Sequence, residues 1–292
     1  MFKGSFVALI TPMREDGSFD EKAYADFVEW QISEGTNGIV PVGTTGESPT
    51  LSHDEHKRVV EIAVAVAKGR IPVIAGAGSN STEEAIDLTR HAKEAGADAA
   101  LIVTPYYNKP TQEGMFLHYS AIADAVDLPV IIYNIPGRSV VNMSVETMAR
   151  LAKHKNIVGV KDSTADLQRP ILQRIAMGDD FCQMSGEDQT AISFLAAGGH
   201  GCISVTANIA PRLCSEMHAA WAEGRVKDAI AIQDRLTPLH DSLFCETSPG
   251  PVKYAASLLG KTSNKCRLPL APPSEATRDR VRAAMTSVGL LN

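Results

Sequence analysis

Eight short apolar runs, each followed by Gly, Pro, Asn, Thr or Asp punctuation, recur along this chain of 292 residues. They occupy residues 6–10, 38–42, 72–75, 100–103, 129–133, 157–161, 181–184 and 201–205. Between the markers Leu9, Val42, Ala75, Val103, Ile132, Val160, Met184 and Val205 the gaps run from 21 to 33 residues. Runs this apolar, without alternation, suit strands that are covered on both faces. The stretches between them carry helix punctuation. Ser52-His53-Asp54-Glu55 and Ser81-Thr82-Glu83-Glu84 both fit a capping box. Gly35, Gly69, Gly96 and Gly224 stand where helices end. The repeat predicts an α/β fold, a (β/α)8 TIM barrel, over residues 1–224. A doubly wound sheet fits less well, because no G-x-G-x-x-G follows the first strand. From residue 225 the strand signal lapses, and apolar stripes over 226–239, 251–259 and 275–288 predict a C-terminal helical appendage, 225–292. Pro269, Pro272 and Pro273 separate the last two of its helices.

A net charge of −6 argues against nucleic acid and against an anionic membrane as partners. No run approaches the ~18 apolar residues of a membrane span, and the opening Met1-Phe2-Lys3-Gly4-Ser5-Phe6 has too short an apolar stretch for a signal peptide. The five cysteines, Cys182, Cys202, Cys214, Cys245 and Cys266, contain no C-x-x-C. They point to reduced thiols in a cytoplasmic protein.

In a (β/α)8 barrel the chemistry collects at the carboxyl ends of the strands. The sixth run stops at Lys161, an amine delivered to the edge of an apolar core. Lysine is seldom buried, and a neutral amine in such a place attacks carbonyl carbon and forms Schiff bases. A lysine whose stem packs while its head reaches water is the plainer alternative. Tyr133 lies 28 residues earlier, about one barrel unit, so the two should emerge on adjacent strands, where a phenol can shuttle protons. The second strand leads into Gly43-Thr44-Thr45-Gly46-Glu47, whose backbone N–H groups and hydroxyls suit a carboxylate or phosphate. Arg138 follows the fifth strand in a Pro-Gly turn and can grip a carboxylate with two hydrogen bonds.

The blocks Gly38 to Glu47, Tyr133-Asn134-Ile135-Pro136 and Val158-Gly159-Val160-Lys161-Asp162 resemble the pyruvate-dependent class I aldolase and lyase family, and within it the dihydrodipicolinate synthases. The similarity runs the length of the chain. It implies that Lys161 forms a Schiff base with pyruvate and that Tyr133, Thr44 and Tyr107 form a proton relay, with Tyr107 supplied by a neighbouring subunit. It also implies substrate binding by Thr45, Arg138, Gly186 and Ile203. Arginine at position 138 is what the synthases use for the carboxylate of aspartate semialdehyde, whereas sialic-acid lyases usually have an apolar residue there. Ser139-Val140 departs from the Thr-Gly of many synthases.

The same resemblance places a feedback site for L-lysine at Ser48, His53, His56, Gly78, Asn80, Glu84 and Tyr106. A metal reading of His53 and His56 would need a third ligand and an open position, and solvated helix-start groups are the plainer alternative. The expected reaction joins pyruvate to L-aspartate 4-semialdehyde in a homotetramer, a dimer of dimers. No metal or organic cofactor is expected, because the imine itself serves as the electron sink. The rivals are a sialic-acid or keto-sugar-acid aldolase, and a silent barrel that only senses keto acids.

Overall fold

The computed structural model describes residues 2–291. Its strands are β1 (Gly4–Ala8), β2 (Gly38–Val40), β3 (Ile74–Gly76), β4 (Ala99–Val103), β5 (Val130–Asn134), β6 (Ile157–Asp162), β7 (Cys182–Ser185) and β8 (Gly201–Ser204). They form one sheet in the order β2-β1-β8-β7-β6-β5-β4-β3. Its registered pairs, such as β1–β2 and β5–β6, are parallel. Helices Glu21–Ser33, His53–Ala67, Thr82–Ala95, Gln112–Ala125, Val145–Leu151, Arg169–Met177, Ala191–Ala196 and Pro211–Ala222 follow the strands in turn. This is the (β/α)8 barrel that the apolar repeat predicts. Three further helices, Val226–Leu243, Gly250–Leu258 and Glu275–Ser287, complete the chain.

All eight predicted runs contain a strand, with ends displaced by one or two residues. The β2 strand stops at Val40 because Pro41 has no N–H to give a ladder and Val42 turns to φ +48°. In contrast, β6 runs one residue past Lys161. The Ser52 capping box forms with both of its bonds. At Ser81 only half of the predicted box forms. Its hydroxyl accepts from Glu84 N, while its own N–H donates to Ser79 Oγ, which in turn bonds the Glu84 carboxylate.

Two compact units share the chain, one of residues 72–203 with the N-terminal residues up to Lys3, the other of residues 4–71 and 204 onward. In the first, β3 to β7 lie side by side, and Ile74, Ile102, Ile131, Ile132, Val160 and Met184 are fully buried. Gly159 lets β6 and β7 approach: a Cβ there would come within 2.5 Å of the Cys182 carbonyl oxygen. In the second, β1 pairs with β2, and the end of β1 is held by a buried amide. The Asn208 side chain accepts from Ile10 N at 3.0 Å and donates to Ala8 O at 2.8 Å. The last three helices belong to this unit.

Within the second unit the capping residue Glu55 also receives two bonds from Arg267, at 2.6 and 2.7 Å. Chiefly that guanidinium, helped by the Ser52 N–H and hydroxyl and opposed by partial burial, holds the Glu55 carboxyl down to about 2 from an ordinary 4.5. A carboxyl depressed by folding stabilises the fold above its unfolded value, and this contribution is lost as pH falls through the folded value. Glu55→Gln should therefore lower the urea midpoint at neutral pH, and its deficit should shrink as pH drops from 4.5 toward about 2. A deficit that is constant across that window would show that the ion pair contributes nothing.

Candidate active site

In the first unit, β5 and β6 pair so that Tyr133 stands directly opposite Lys161. Both are almost fully buried, at 6% and 7% exposure. Lys161 Nζ lies 4.2 Å from the centre of the Tyr133 ring. Among the described residues no carboxylate is within ion-pair distance of that amine. Successive strand residues point to opposite faces, and the next side chain, Asp162, is engaged elsewhere. Its Oδ2 accepts from Arg169 Nε at 2.8 Å and Gln173 Nε2 at 2.9 Å, and its Oδ1 from Thr164 N and Oγ1 at 3.0 and 2.6 Å. Sequence reasoning did not assign this clamp.

Gly186, directly after β7, lies against the Lys161 side chain. A Cβ there would meet Ser163 Oγ at 1.8 Å and Lys161 Cε at 3.0 Å, so a side chain at this position would require Ser163 to move. The Ser163 hydroxyl is buried and has no hydrogen-bond partner among the described residues. Next along is Glu187, which the sequence reading also missed, although its place directly after Gly186 could have flagged it. Burial pushes the Glu187 carboxyl above its usual range; the Lys161 charge opposes that shift, while Asp188 and Asp162 add to it. Ile203 sits fully buried in β8.

Arg138 is exposed on the short helix Pro136–Ser139. Ser139 pins this turn from beneath. Its hydroxyl accepts from Thr104 Oγ1 at 3.0 Å and shares its proton between the carbonyls of Ile135 and Val141, at 2.9 and 3.1 Å. The next residue, Val140, adopts φ +68°. Tyr107 is 89% exposed and makes no bond to Tyr133 or Lys161 within the chain. Burial, and after it the Glu84 charge, raises the Tyr106 phenol above its usual value. The Asn80 carbonyl accepts from Asn108 Nδ2 at 2.9 Å. Gly78 lies so close to β4 that a Cβ would stand 2.3 Å from Val103 N. Gly78, Asn80, Glu84 and Tyr106 thus belong to one unit, and Ser48, His53 and His56 to the other.

In the second unit the loop after β2 closes on itself, with Gly46 N donating to Gly43 O at 3.0 Å and Glu47 N to Thr44 O at 3.1 Å. The hydroxyls of Thr44 and Thr45 are not engaged with any described residue. Behind them Glu47 turns at φ +59° into a fully buried ion pair with Lys253, 2.6 Å long, with both side chains 0% exposed. Removing one partner of such a pair costs roughly 3–5 kcal/mol, because the other charge is left buried. A lone lysine inside the apolar stripe 251–259 was the signal in the sequence. His53 is exposed at the start of its helix, but His56 is buried at 7% exposure, against the expectation of a solvated helix-start group.

The Dihydrodipicolinate synthetase family matches residues 1–288. The chain belongs to that family. The 4-hydroxy-tetrahydrodipicolinate synthase of Acidiphilium cryptum is 69% identical over 291 residues, covering the whole of both chains. Among solved structures, the chloride-inhibited dihydrodipicolinate synthase of Acinetobacter baumannii complexed with pyruvate superposes with a TM-score of 0.97 at 49% identity, over 100% of each chain. The enzyme from Cyanidioschyzon merolae with lysine bound does so with a TM-score of 0.96 at 37% identity, over 99% of each.

Val140 generates a prediction. A β-branched residue at positive φ is strained, typically by about 1–3 kcal/mol. Glycine at that position carries no such strain, though it loses more chain entropy on folding. Val140→Gly should raise the melting temperature, corresponding to a net gain of about 1 kcal/mol. An unchanged or lower melting temperature would mean that any strain at Val140 is no larger than the entropy glycine adds.

Proposed function

We propose that this chain condenses pyruvate with L-aspartate 4-semialdehyde to give 4-hydroxy-tetrahydrodipicolinate. The observation that carries this reading is the buried Lys161 amine facing the Tyr133 ring, with no carboxylate paired to it. Thr44 and Thr45 hold the pyruvate carboxylate with hydroxyls and loop N–H groups. Lys161 Nζ attacks the ketone carbon to give a carbinolamine. Tyr133 donates the proton with which the hydroxyl leaves as water, and an imine remains. Loss of a methyl proton gives the enamine, with Tyr107 and Thr44 completing the relay through which protons move. The enamine carbon adds to the aldehyde, forming the carbon–carbon bond. The amino group of the second substrate then attacks the imine carbon, displaces Lys161 and closes the ring. Gly186 leaves room beside the amine, Ile203 lines the substrate region, and Arg138 binds the carboxylate of the semialdehyde. A sialic-acid or keto-sugar-acid aldolase is disfavoured by that arginine.

The exposure of Tyr107 supports a partner outside its own chain, and the assembly proposed is a homotetramer. A cytoplasmic setting is supported by five free cysteines, and no described helix is long and apolar enough to cross a membrane.

Borohydride reduction in the presence of pyruvate should add one adduct, located at Lys161 by peptide mass spectrometry. Lys161→Arg should abolish it, because a guanidinium does not lose its charge. Arg138→Leu should keep the adduct while weakening use of the semialdehyde by about 1.5–3 kcal/mol in kcat/KM. Label on another lysine, or an Arg138→Leu enzyme that no longer traps pyruvate, would overturn these assignments.

L-Lysine is the proposed feedback inhibitor, bound by Ser48, His53, His56, Gly78, Asn80, Glu84 and Tyr106. The proximity of Glu84 and Tyr106 supports it, since an ammonium taken out of water needs an opposing carboxylate. Inhibitors of this kind couple to activity by about 1–3 kcal/mol. Glu84→Ala should abolish inhibition and leave turnover without lysine intact. Calorimetry that detects no heat of lysine binding to the wild-type protein would end the idea.

A further inference from the structure

The loop that carries Thr44 and Thr45 is tied to the C-terminal part of its own unit by charge. Glu47 follows that loop at φ +59°, and both of its carboxylate oxygens are engaged. Lys253 Nζ donates to Oε1 at 2.6 Å and Arg267 N to Oε2 at 2.9 Å. The same ammonium donates to Thr11 O at 2.9 Å, and Thr11 Oγ1 donates to Gly46 O at 2.7 Å. Gly46 lies against the residue that follows β1, where a Cβ would come 3.0 Å from Leu9 O. The Gly46 carbonyl and the Glu47 carboxylate are thereby both referred to Lys253, the first through Thr11 and the second directly.

A buried ion pair is weak evidence of stability, because apolar residues of similar volume often replace one without loss. What apolar residues do not reproduce is direction. A carboxylate bonded at both oxygens fixes the Glu47 backbone, whose N–H closes the turn onto Thr44 O at 3.1 Å. We propose that Lys253 and Glu47 are positioning residues: the helix Gly250–Leu258 sets the geometry with which Thr44 and Thr45 hold a small carboxylate. This deepens the reading above and rests on it, since it requires the two threonines to bind pyruvate. A displacement of about 1 Å in such a group can cost about 10²-fold.

The test measures the pyruvate concentration that half-saturates borohydride trapping, together with the KM for the semialdehyde and the melting temperature. Four variants serve: Thr45→Val, Thr11→Val, Lys253→Met, and the double change Glu47→Leu with Lys253→Met. Thr45→Val should weaken pyruvate trapping. Lys253→Met should weaken it by about ten- to a hundredfold and also lower the melting temperature. The double variant should regain most of the melting temperature but not the pyruvate affinity. Thr11→Val should weaken pyruvate trapping in a folded protein, and together with the double variant it decides the matter should Lys253→Met fail to fold. The KM for the semialdehyde should stay within about twofold throughout. Recovery of pyruvate affinity along with stability in the double variant would reduce the pair to a packing element. Weakening by Thr45→Val alone would leave the carboxylate reading standing and overturn the positioning role. No effect of Thr45→Val would overturn both.

Discussion

The amine of Lys161 lies over a phenol ring and not beside a carboxylate, and the rest of the candidate chemistry depends on that. A nucleophilic amine must reach its neutral form, and a salt bridge opposes that step. A carboxylate is only one residue away, at Asp162. Strand alternation turns it to the opposite face, where Arg169, Gln173 and Thr164 occupy both of its oxygens. The apolar β6 strand therefore does two things with consecutive residues. It presents an amine on one side and engages the carboxylate next in sequence on the other. Glu187 is an acid that does feel the Lys161 charge, and burial already disfavours its ionised form.

A second buried pair, Glu47 with Lys253, follows the same logic in the other unit. Both pairs sit immediately after candidate functional residues: Asp162 follows Lys161, and Glu47 follows the Thr44–Thr45 loop. Neither position is favourable for stability alone, since taking charges out of water costs several kcal/mol per ion by the usual estimate of about that size. Their common effect is orientation. Each carboxylate accepts at both oxygens from donors on different segments, which leaves its backbone little freedom.

The repeat of apolar runs made the barrel legible, because strands covered on both faces lose the alternation that would otherwise mark them. The pairing of Tyr133 with Lys161 was legible for the same reason, since one barrel unit of separation puts two strand ends side by side. The supports were not legible. Asp162 meets Arg169 and Gln173 across a loop, and Lys253 reaches Glu47 from 206 residues away, distances that no local pattern encodes. The half-formed capping box at Ser81 shows a limit of motif reading. The spacing was right, but Ser79 offered the Ser81 N–H a nearer acceptor.

The turn at Arg138 shows how a departure from a family pattern can be absorbed locally. Ser139 keeps a hydroxyl where many synthases have threonine, and that hydroxyl joins Thr104 to the Ile135 and Val141 carbonyls. The position after it is harder to fill, since φ +68° suits glycine and the chain has valine there. The backbone nevertheless closes, with Val140 N donating to Pro136 O at 3.0 Å. Those bonds over-determine the turn, which is the condition under which a strained residue persists in a folded protein. The hydroxyl of Ser139 supplies part of the constraint under which Val140 holds its positive φ.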